Sequence, residues 1–87
     1  MEKQAAAIIA ERALADLAGS SGEALALLDD RVVQTPRGWL FFYQTVEHLT
    51  TGDPLAALAG NGPILVEHDG SVRILASSSP WQDQIAD

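Results

Sequence analysis

The segment from Trp39 to Tyr43 is aromatic or aliphatic at every position, and it constrains the fold more than any other part of the sequence. Side chains of a β-strand alternate between the two faces of a sheet, so this segment presents an apolar surface on both faces. A strand of that kind needs cover on both sides, which is typical of a central strand. We therefore expect Trp39 and at least one of Phe41 and Phe42 to be largely buried.

The start of the chain predicts one long helix. Residues 3–18 contain neither glycine nor proline and are rich in alanine and leucine. Gly19, followed by Ser20, Ser21 and Gly22, is predicted to end the helix and to begin a turn. Apolar residues recur with the spacing of a buried helical stripe, namely Ile9, Ala10, Ala13, Leu14 and Leu17.

The segment after this helix predicts two strands joined by a tight connection. The apolar runs Ala24–Leu28 and Val32–Val33 are typical of a first strand, and Thr35–Gly38 contains the proline and glycine of a hairpin. Asp29 and Asp30 interrupt the first strand. They are compatible with either a bulge or a turn.

A second hairpin is predicted around Asp69-Gly70, the strongest short-range hairpin signal in the chain. The flanking strands are Ile64–His68 and Ser71–Ala76. A type I′ turn is expected there, with positive φ at both central residues. The strand pairs that such a turn gives are Leu65 with Ile74 and Val66 with Arg73.

Short helices are predicted between the hairpins and near the C-terminus. Val46–Gly52 is typical of one helical turn that ends at its glycine. A second helix is predicted over Leu55–Ala59, because an aspartate, a proline and a glycine provide its N-cap, first position and C-terminal stop, namely Asp53, Pro54 and Gly60. Asn61-Gly62-Pro63 is then expected to redirect the chain. The last helix is predicted from its capping residues Ser79, Pro80 and Gln82. Its apolar face is formed by Trp81 and Ile85.

Together these elements predict an α+β fold for a single domain over residues 1–87. An N-terminal helix packs on an antiparallel sheet of about four strands, with a short helical connection and a short C-terminal helix. A chain of this length has room for one core. Apolar residues do not form a membrane-spanning run and the N-terminus lacks a cationic leader, so we expect a cytoplasmic protein.

The charge balance is strongly acidic, with twelve Asp and Glu against five Lys and Arg and a net charge of −7. Binding to nucleic acid requires clustered basic residues, so this balance disfavours it. Two interpretations of the negative charge stay open. It either serves only to keep the protein soluble or also steers a basic partner towards it.

Catalytic and metal-binding patterns are not evident in the sequence. The chain has no cysteine, which excludes disulfides and thiolate chemistry. His48 and His68 are the side chains that normally titrate near neutral pH, and they lack further ligands at the spacings that zinc sites use. Gly60-Asn61-Gly62 precedes a strand rather than a helix, so it differs from a phosphate-binding loop. We expect no enzymatic activity, no cofactor and no metal.

Three segments, in this order, resemble the immunity protein 35 family of small bacterial proteins. They are Gly38–Tyr43, Leu49–Asp53 and Ala59–Ile64. The Asp69-Gly70 turn and the proline-led segment Pro80–Ile85 follow them as in that family. The resemblance covers Gly38–Ile85, while the first helix and strand agree with the family in type only. His48 stands where an aromatic or apolar residue is expected, and Trp81 stands in a segment that is usually more charged.

The resemblance implies a non-enzymatic protein that binds and neutralises a cognate toxin, and it supplies no catalytic residues. If the toxin is blocked by occlusion and has a basic surface, acidic side chains are the natural contacts. The candidate partner-binding residues are Asp29, Asp30, Glu47 and Asp53. Trp81 is a further candidate, since it lies either at the rim of the core or in an interface. The alternative function is a chaperone-like or scaffold domain that binds other proteins.

Overall fold

The computed structural model describes residues 1–53 and 61–85, which form helices on both sides of a four-stranded antiparallel sheet. The elements in chain order are α1 (Lys3–Ser21), β1 (Leu25–Thr35), β2 (Gly38–Thr45), α2 (Val46–Thr51), β3 (Asn61–Glu67), β4 (Val72–Ala76) and α3 (Trp81–Ile85). The strands lie in the order β1-β2-β3-β4. The predicted α+β fold is confirmed. The predicted helix over Leu55–Ala59 lies outside the described residues.

Helix α1 is longer than the sequence predicted. It continues through Gly19 and ends at Gly22, whose φ of 76° is left-handed and whose N–H donates to the Ala18 carbonyl at 2.9 Å. The prediction that Gly19 stops the helix is therefore wrong. The C-terminal cap needs a residue with positive φ, which Gly22 supplies, whereas a glycine inside a helix only lowers its stability.

The two faces of the sheet bury separate apolar clusters. The α1 face joins helical residues to alternate residues of the inner strands, with the buried members Ala6, Ala10, Leu14, Phe41, Ile64 and Val66. The α3 face has the buried members Leu40, Leu65, Leu75 and Ile85, with Val33, Phe42 and Trp81 packed against them. Strand β2 thus contributes to both clusters, as its two apolar faces predicted. Trp81 and Ile85 share one face of α3, which was also predicted.

Trp39 is partly buried and packs against the α1 cluster, while Phe41 is 2% exposed, so the predicted burial holds fully for Phe41 and in part for Trp39. Trp39 lies one residue from the start of β2 and packs at the edge of the α1 face. Its indole N–H donates to the Met1 carbonyl at 2.9 Å. A tryptophan at the rim keeps access to a hydrogen-bond acceptor there, because full burial would require an internal partner for the same group.

An irregular bulge in β1 decides between the two interpretations of Asp29 and Asp30. Leu27 pairs with Tyr43 and Val32 pairs with Phe41. The four residues from Leu28 to Arg31 therefore lie opposite one residue, Phe42. The strand continues on both sides of the irregularity. Asp29 and Asp30 therefore belong to a bulge within one strand and do not form a turn.

A second bulge corrects the prediction for Asn61-Gly62-Pro63, which does not redirect the chain but begins β3. Asn61 pairs with Ala76 and Ile64 with Ile74, so Gly62 and Pro63 lie opposite one residue of β4. A Cβ on Gly62 would lie 2.6 Å from the Ala76 carbonyl oxygen, so the backbones approach too closely for a side chain. Pro63 fits the bulge because it has no N–H to donate to a ladder.

The β3–β4 turn has a different geometry from the type I′ turn that was predicted. Gly70 has a φ of 91°, but no residue other than glycine has positive φ in the described chain. The Glu67 carbonyl accepts from the Gly70 N–H at 2.9 Å, and the Glu67 N–H donates to the Ser71 carbonyl at 2.8 Å. This is a three-residue loop with a left-handed glycine, which shifts the register by one residue. The observed pairs are Ile64 with Ile74, Leu65 with Arg73 and Val66 with Val72.

Candidate binding surface

The bulge in β1 places Asp29 and Asp30 on the solvent side of an edge strand. Both side chains are exposed. A bulge of this kind breaks the hydrogen-bond ladder and bends the strand, so these residues are unsuited to pairing with another strand. The arrangement instead leaves two carboxylates that are adjacent in sequence exposed to solvent.

Helix α2 brings Glu47 close to the beginning of the same edge. The Val46 N–H donates to the Ala24 carbonyl at 2.9 Å, which ties the start of α2 to the chain just before β1. Glu23 and Glu47 line one open cleft with a volume of about 490 Å³. Both are exposed. Glu23 was not among the sequence candidates, and only its position beside the predicted strand could have indicated it.

Asp53 is held near α2 by contacts around its backbone. The carbonyl of Asp53 accepts from His48 Nδ1 at 2.8 Å, and its N–H donates to Thr51 Oγ1 at 3.2 Å. Because a carbonyl can only accept, this contact places the proton on Nδ1 of the histidine. Gly52, with a φ of 72°, allows the chain to fold back in this way. His48 therefore has a structural role at the end of α2.

We call the surface formed by Glu23, Asp29, Asp30, Glu47 and Asp53 the acidic edge. Four of the five sequence candidates are exposed acids in or beside β1 and α2, and one of them, Glu47, shares a cleft with Glu23. No Lys or Arg occurs in the sequence between Arg12 and Arg31, so β1 begins without a nearby basic residue in the chain. The edge therefore concentrates negative charge.

The arginines near the sheet each make a contact within the chain. The Arg31 guanidinium lies 4.6 Å from the centre of the Phe42 ring, a cation–π contact. Arg37 forms a salt bridge with Glu67 at 3.0 Å. The Arg73 guanidinium donates to the Gln84 carbonyl at 3.4 Å. Arg37 is thus paired with a carboxylate, whereas Arg31 is exposed beside Asp30 and offsets part of the negative charge there.

Trp81 lies at the opposite end of the sheet from α2. It is half-buried and lines a cleft of about 350 Å³ with Pro36 and Ile85, beside the β1–β2 turn. The length of β2, from Gly38 to Thr45, separates the two ends by roughly 20 Å. The structure therefore does not bring Trp81 together with Glu47 and Asp53.

The described residues contain no group of three or more His, Asp or Glu side chains arranged to hold a metal ion. His68 is exposed and has its Nδ1 3.4 Å from the N-terminal amine. Burial raises the pKa of Tyr43, whose hydroxyl donates to the Gly62 carbonyl at 3.0 Å.

No helix among residues 1–53 and 61–85 is both long and apolar enough to cross a bilayer.

Comparison with known proteins identifies the class to which this structure belongs. The family model of Immunity protein 35 matches residues 4–86, nearly the whole chain. The chain belongs to the Immunity protein 35 family, and the family indicates a role in toxin immunity. The match includes α1 and β1, which the sequence resemblance covered in type only.

One curated relative is described as the uncharacterized protein YrhB of Escherichia coli (strain K12). It is 36% identical over 52 residues, which are 59% of this chain and 55% of the relative. The chain therefore aligns with about half the length of this relative. No solved structure matches the chain.

Proposed function

We propose that this protein protects a bacterium by binding a cognate toxin and covering its functional surface, without chemical change to either protein. The observation that supports the proposal is the acidic edge, a set of five exposed carboxylates of which Glu23 and Glu47 line one cleft. Membership in an immunity protein family supports a toxin as the partner. A toxin that acts on nucleic acid or another anionic substrate would offer the basic surface that this edge complements. We place this encounter in the cytoplasm of the producing cell.

The net charge of −7 gives the proposed encounter a long-range component. Charges on the rim of an interface raise the association rate and affect dissociation less. Salt screens such attraction over about 8 Å at physiological ionic strength. The association rate should therefore fall as salt is added.

Trp81 is a second proposed contact, in addition to Asp29, Asp30, Glu47 and Asp53. A half-buried tryptophan beside a cleft has the character of an anchor residue. A standard interface covers about 800 Å² on each partner, or a patch about 30 Å across. One toxin could therefore reach both the acidic edge and Trp81.

The test uses the toxin that co-purifies with this protein from the producing strain, identified by mass spectrometry and then purified alone. Titration of toxin activity should end at a stoichiometric ratio, with both chains unchanged in mass. Stopped-flow association should then be compared for Asp29→Lys/Asp30→Lys and for the matched variant Glu2→Lys/Glu11→Lys. Both variants change the net charge equally and alter exposed residues. Only the first should slow association strongly, by about tenfold or more at low salt.

Three outcomes would contradict parts of this proposal. Protection at sub-stoichiometric ratios would indicate catalysis. Equal binding to many unfolded proteins would indicate the chaperone-like alternative. Equal slowing by the two charge-reversed variants would show that net charge matters and that the acidic edge is not the contact.

A further inference from the structure

The outer edge of β4 and the surface next to it have features that the proposed toxin contact does not use. Strand β4 is the second edge of the sheet, opposite β1. Between β4 and α1 lies an open, apolar groove of about 420 Å³. Its apolar lining consists of Ile9, Ala13, Leu17, Val72 and Ile74, and Arg12, Asp16 and Ser20 complete its wall. Val72 and Ile74 are 39% and 42% exposed, which is unusual for apolar residues on the helix side of a sheet.

The backbone of β4 is oriented for pairing with another strand. Glu67 and Ser71 share a backbone hydrogen bond, so Leu65 and Arg73, two residues further along, form the next hydrogen-bonded pair. Val72 and Ile74 lie at the alternate positions. Their N–H and C=O groups therefore face away from β3, towards the outer edge.

Unlike β1, β4 has a regular edge over this stretch. The register of β3 and β4 is continuous from Val66 and Val72 to Ile64 and Ile74. Further along, the Ala76 N–H donates to Gln84 Oε1 at 2.7 Å, and its carbonyl accepts from Gln84 Nε2 at 2.9 Å. The side chain of Gln84 thus occupies the edge at Ala76. The accessible edge is a short segment centred on Arg73.

We propose that a second copy of this chain occupies this surface, with the two β4 strands pairing antiparallel about a two-fold axis at Arg73. Val72 of the first copy then pairs with Ile74 of the second, and Ile74 of the first copy pairs with Val72 of the second. Side chains of both residues lie on the α1 side of the sheet in both copies. Val72 and Ile74 of each copy therefore lie beside the apolar groove of the other copy. The surface is self-complementary, as a two-fold interface requires.

The charges on the groove wall support a second copy over an unrelated partner. Arg12 and Asp16 are one helical turn apart on α1, and neither forms a salt bridge within the described part of the chain. A two-fold axis makes the two α1 helices antiparallel, so the order of positive and negative charge on one wall is opposite to that on the other. The arrangement is neutral overall and complementary to its own copy. A basic toxin would gain little from a wall that carries both signs.

Arg73 faces its own copy directly across the proposed axis, on the α3 side of the sheet. Like charges opposite each other destabilise a strand pair. The Gln84 carbonyl of the same chain accepts from the Arg73 guanidinium, which draws that group towards α3. Because each copy carries a net charge of −7, association of two copies should strengthen as salt is raised. The proposed toxin encounter has the opposite salt dependence.

Sedimentation equilibrium of the purified full chain tests the proposal, with Ile74→Lys and the control Leu49→Lys. Leu49 is an exposed apolar residue on α2, away from β4. Ile74→Lys should raise the dimer dissociation constant by about 100-fold or more, because it places two lysines in an apolar contact. Leu49→Lys should leave that constant unchanged. A monomeric parent protein at all concentrations and salt levels would overturn the proposal.

A cysteine variant tests the register, since the natural chain has no cysteine. Residues opposite each other in a non-hydrogen-bonded antiparallel pair have Cα atoms about 4.5 Å apart, within the range of a disulfide. Mild oxidation of Arg73→Cys should therefore give a disulfide-linked dimer in nearly full yield. Ser78→Cys, an exposed control after β4, should stay largely monomeric. Equal cross-linking of the two variants would show that the strands do not meet at Arg73, and it would overturn this interface without affecting the proposed toxin contact.

Discussion

Phe41 and Phe42 are neighbours in β2 with the same side chain, yet they lie in different environments. Phe41 points to the α1 face and is 2% exposed. Phe42 points to the α3 face, is only half-buried, and has Arg31 over its ring. The covering helices account for the difference, since α1 has 19 residues and α3 has five. A sheet face is protected only as far as its covering element extends.

The largest effect in this comparison is expected for Phe41→Ala. Removing a fully buried phenylalanine costs about 3–5 kcal/mol, through lost burial and the cavity that remains. A small domain has a total stability of about 5–15 kcal/mol, so the variant should be close to unfolding. Urea denaturation measures the loss. Phe41→Leu provides a milder variant that should fold with a smaller loss, and a loss below 1 kcal/mol for both would contradict the burial of this face.

Phe42→Ala should cost about 1–2 kcal/mol, because folding buries less apolar area at Phe42 than at Phe41. Part of the loss should be shared with Arg31, whose guanidinium contacts the ring. A double-mutant cycle with Arg31→Ala should give a coupling free energy of about 0.5–1 kcal/mol. If Phe42→Ala destabilised the protein as much as Phe41→Ala, the two faces would be equally covered and the comparison would fail.

Trp81→Ala should cost about 1 kcal/mol and should act on one face only. The ring packs on the α3 cluster, but α3 is short, so its release regains conformational entropy that offsets part of the lost burial. Amide hydrogen exchange should become faster in β4 and α3, while α1 keeps its protection. Faster exchange in α1 would show that the two clusters act as one cooperative unit.

The smallest effect concerns Asp69, which lies outside both clusters. The backbone N–H of Ser71 donates to its carboxylate at 2.8 Å, and this hydrogen bond lowers the pKa of Asp69. A lowered pKa in the folded state contributes stability above the unfolded value near 4, and this is lost as the pH falls through the folded value. Asp69→Asn removes this titration. The stability difference between parent and variant should therefore shrink between pH 6 and pH 3, as measured by urea denaturation at each pH.

The parts of the fold that follow from local periodicity could be predicted from the sequence. The long helix, the two-sided strand β2 and both hairpins come from the spacing of apolar residues and from turn residues. The register between β3 and β4 could not, because it depends on the loop around Gly70, and aspartate-glycine pairs occur in more than one turn type. A one-residue difference in that loop changes every pair in the hairpin.

The bulges were harder to predict, since their signals resemble those of turns. Asp29-Asp30 and Gly62-Pro63 are residues that favour turns, but each lies within a strand here. The neighbouring strand decides the outcome. At Gly62, for example, the backbone of Ala76 approaches so closely that only glycine fits. A contact of this kind is made by residues distant in sequence and leaves no local pattern.

The candidate surface was predicted only in part. Exposed acids could be proposed from charge alone, but the approach of Glu47 to the start of β1 depends on the hydrogen bond that ties Val46 to Ala24. That contact also adds Glu23, which the sequence did not indicate. The separation of Trp81 from these acids, at the other end of the sheet, depends on which end of β2 each element adjoins.

The four strands lie in the sheet in the same order as in the chain, and this has a consequence for folding kinetics. The β1–β2 and β3–β4 hairpins each close a short loop, so each can form independently of the other. Joining β2 to β3 requires closure of the connection over residues 46–60, at an entropic cost of about 2 kcal/mol. Doubling the length of that connection would add only about 0.6 kcal/mol. Folding on the order of milliseconds is expected, with the joining of the two hairpins as the step that limits its rate.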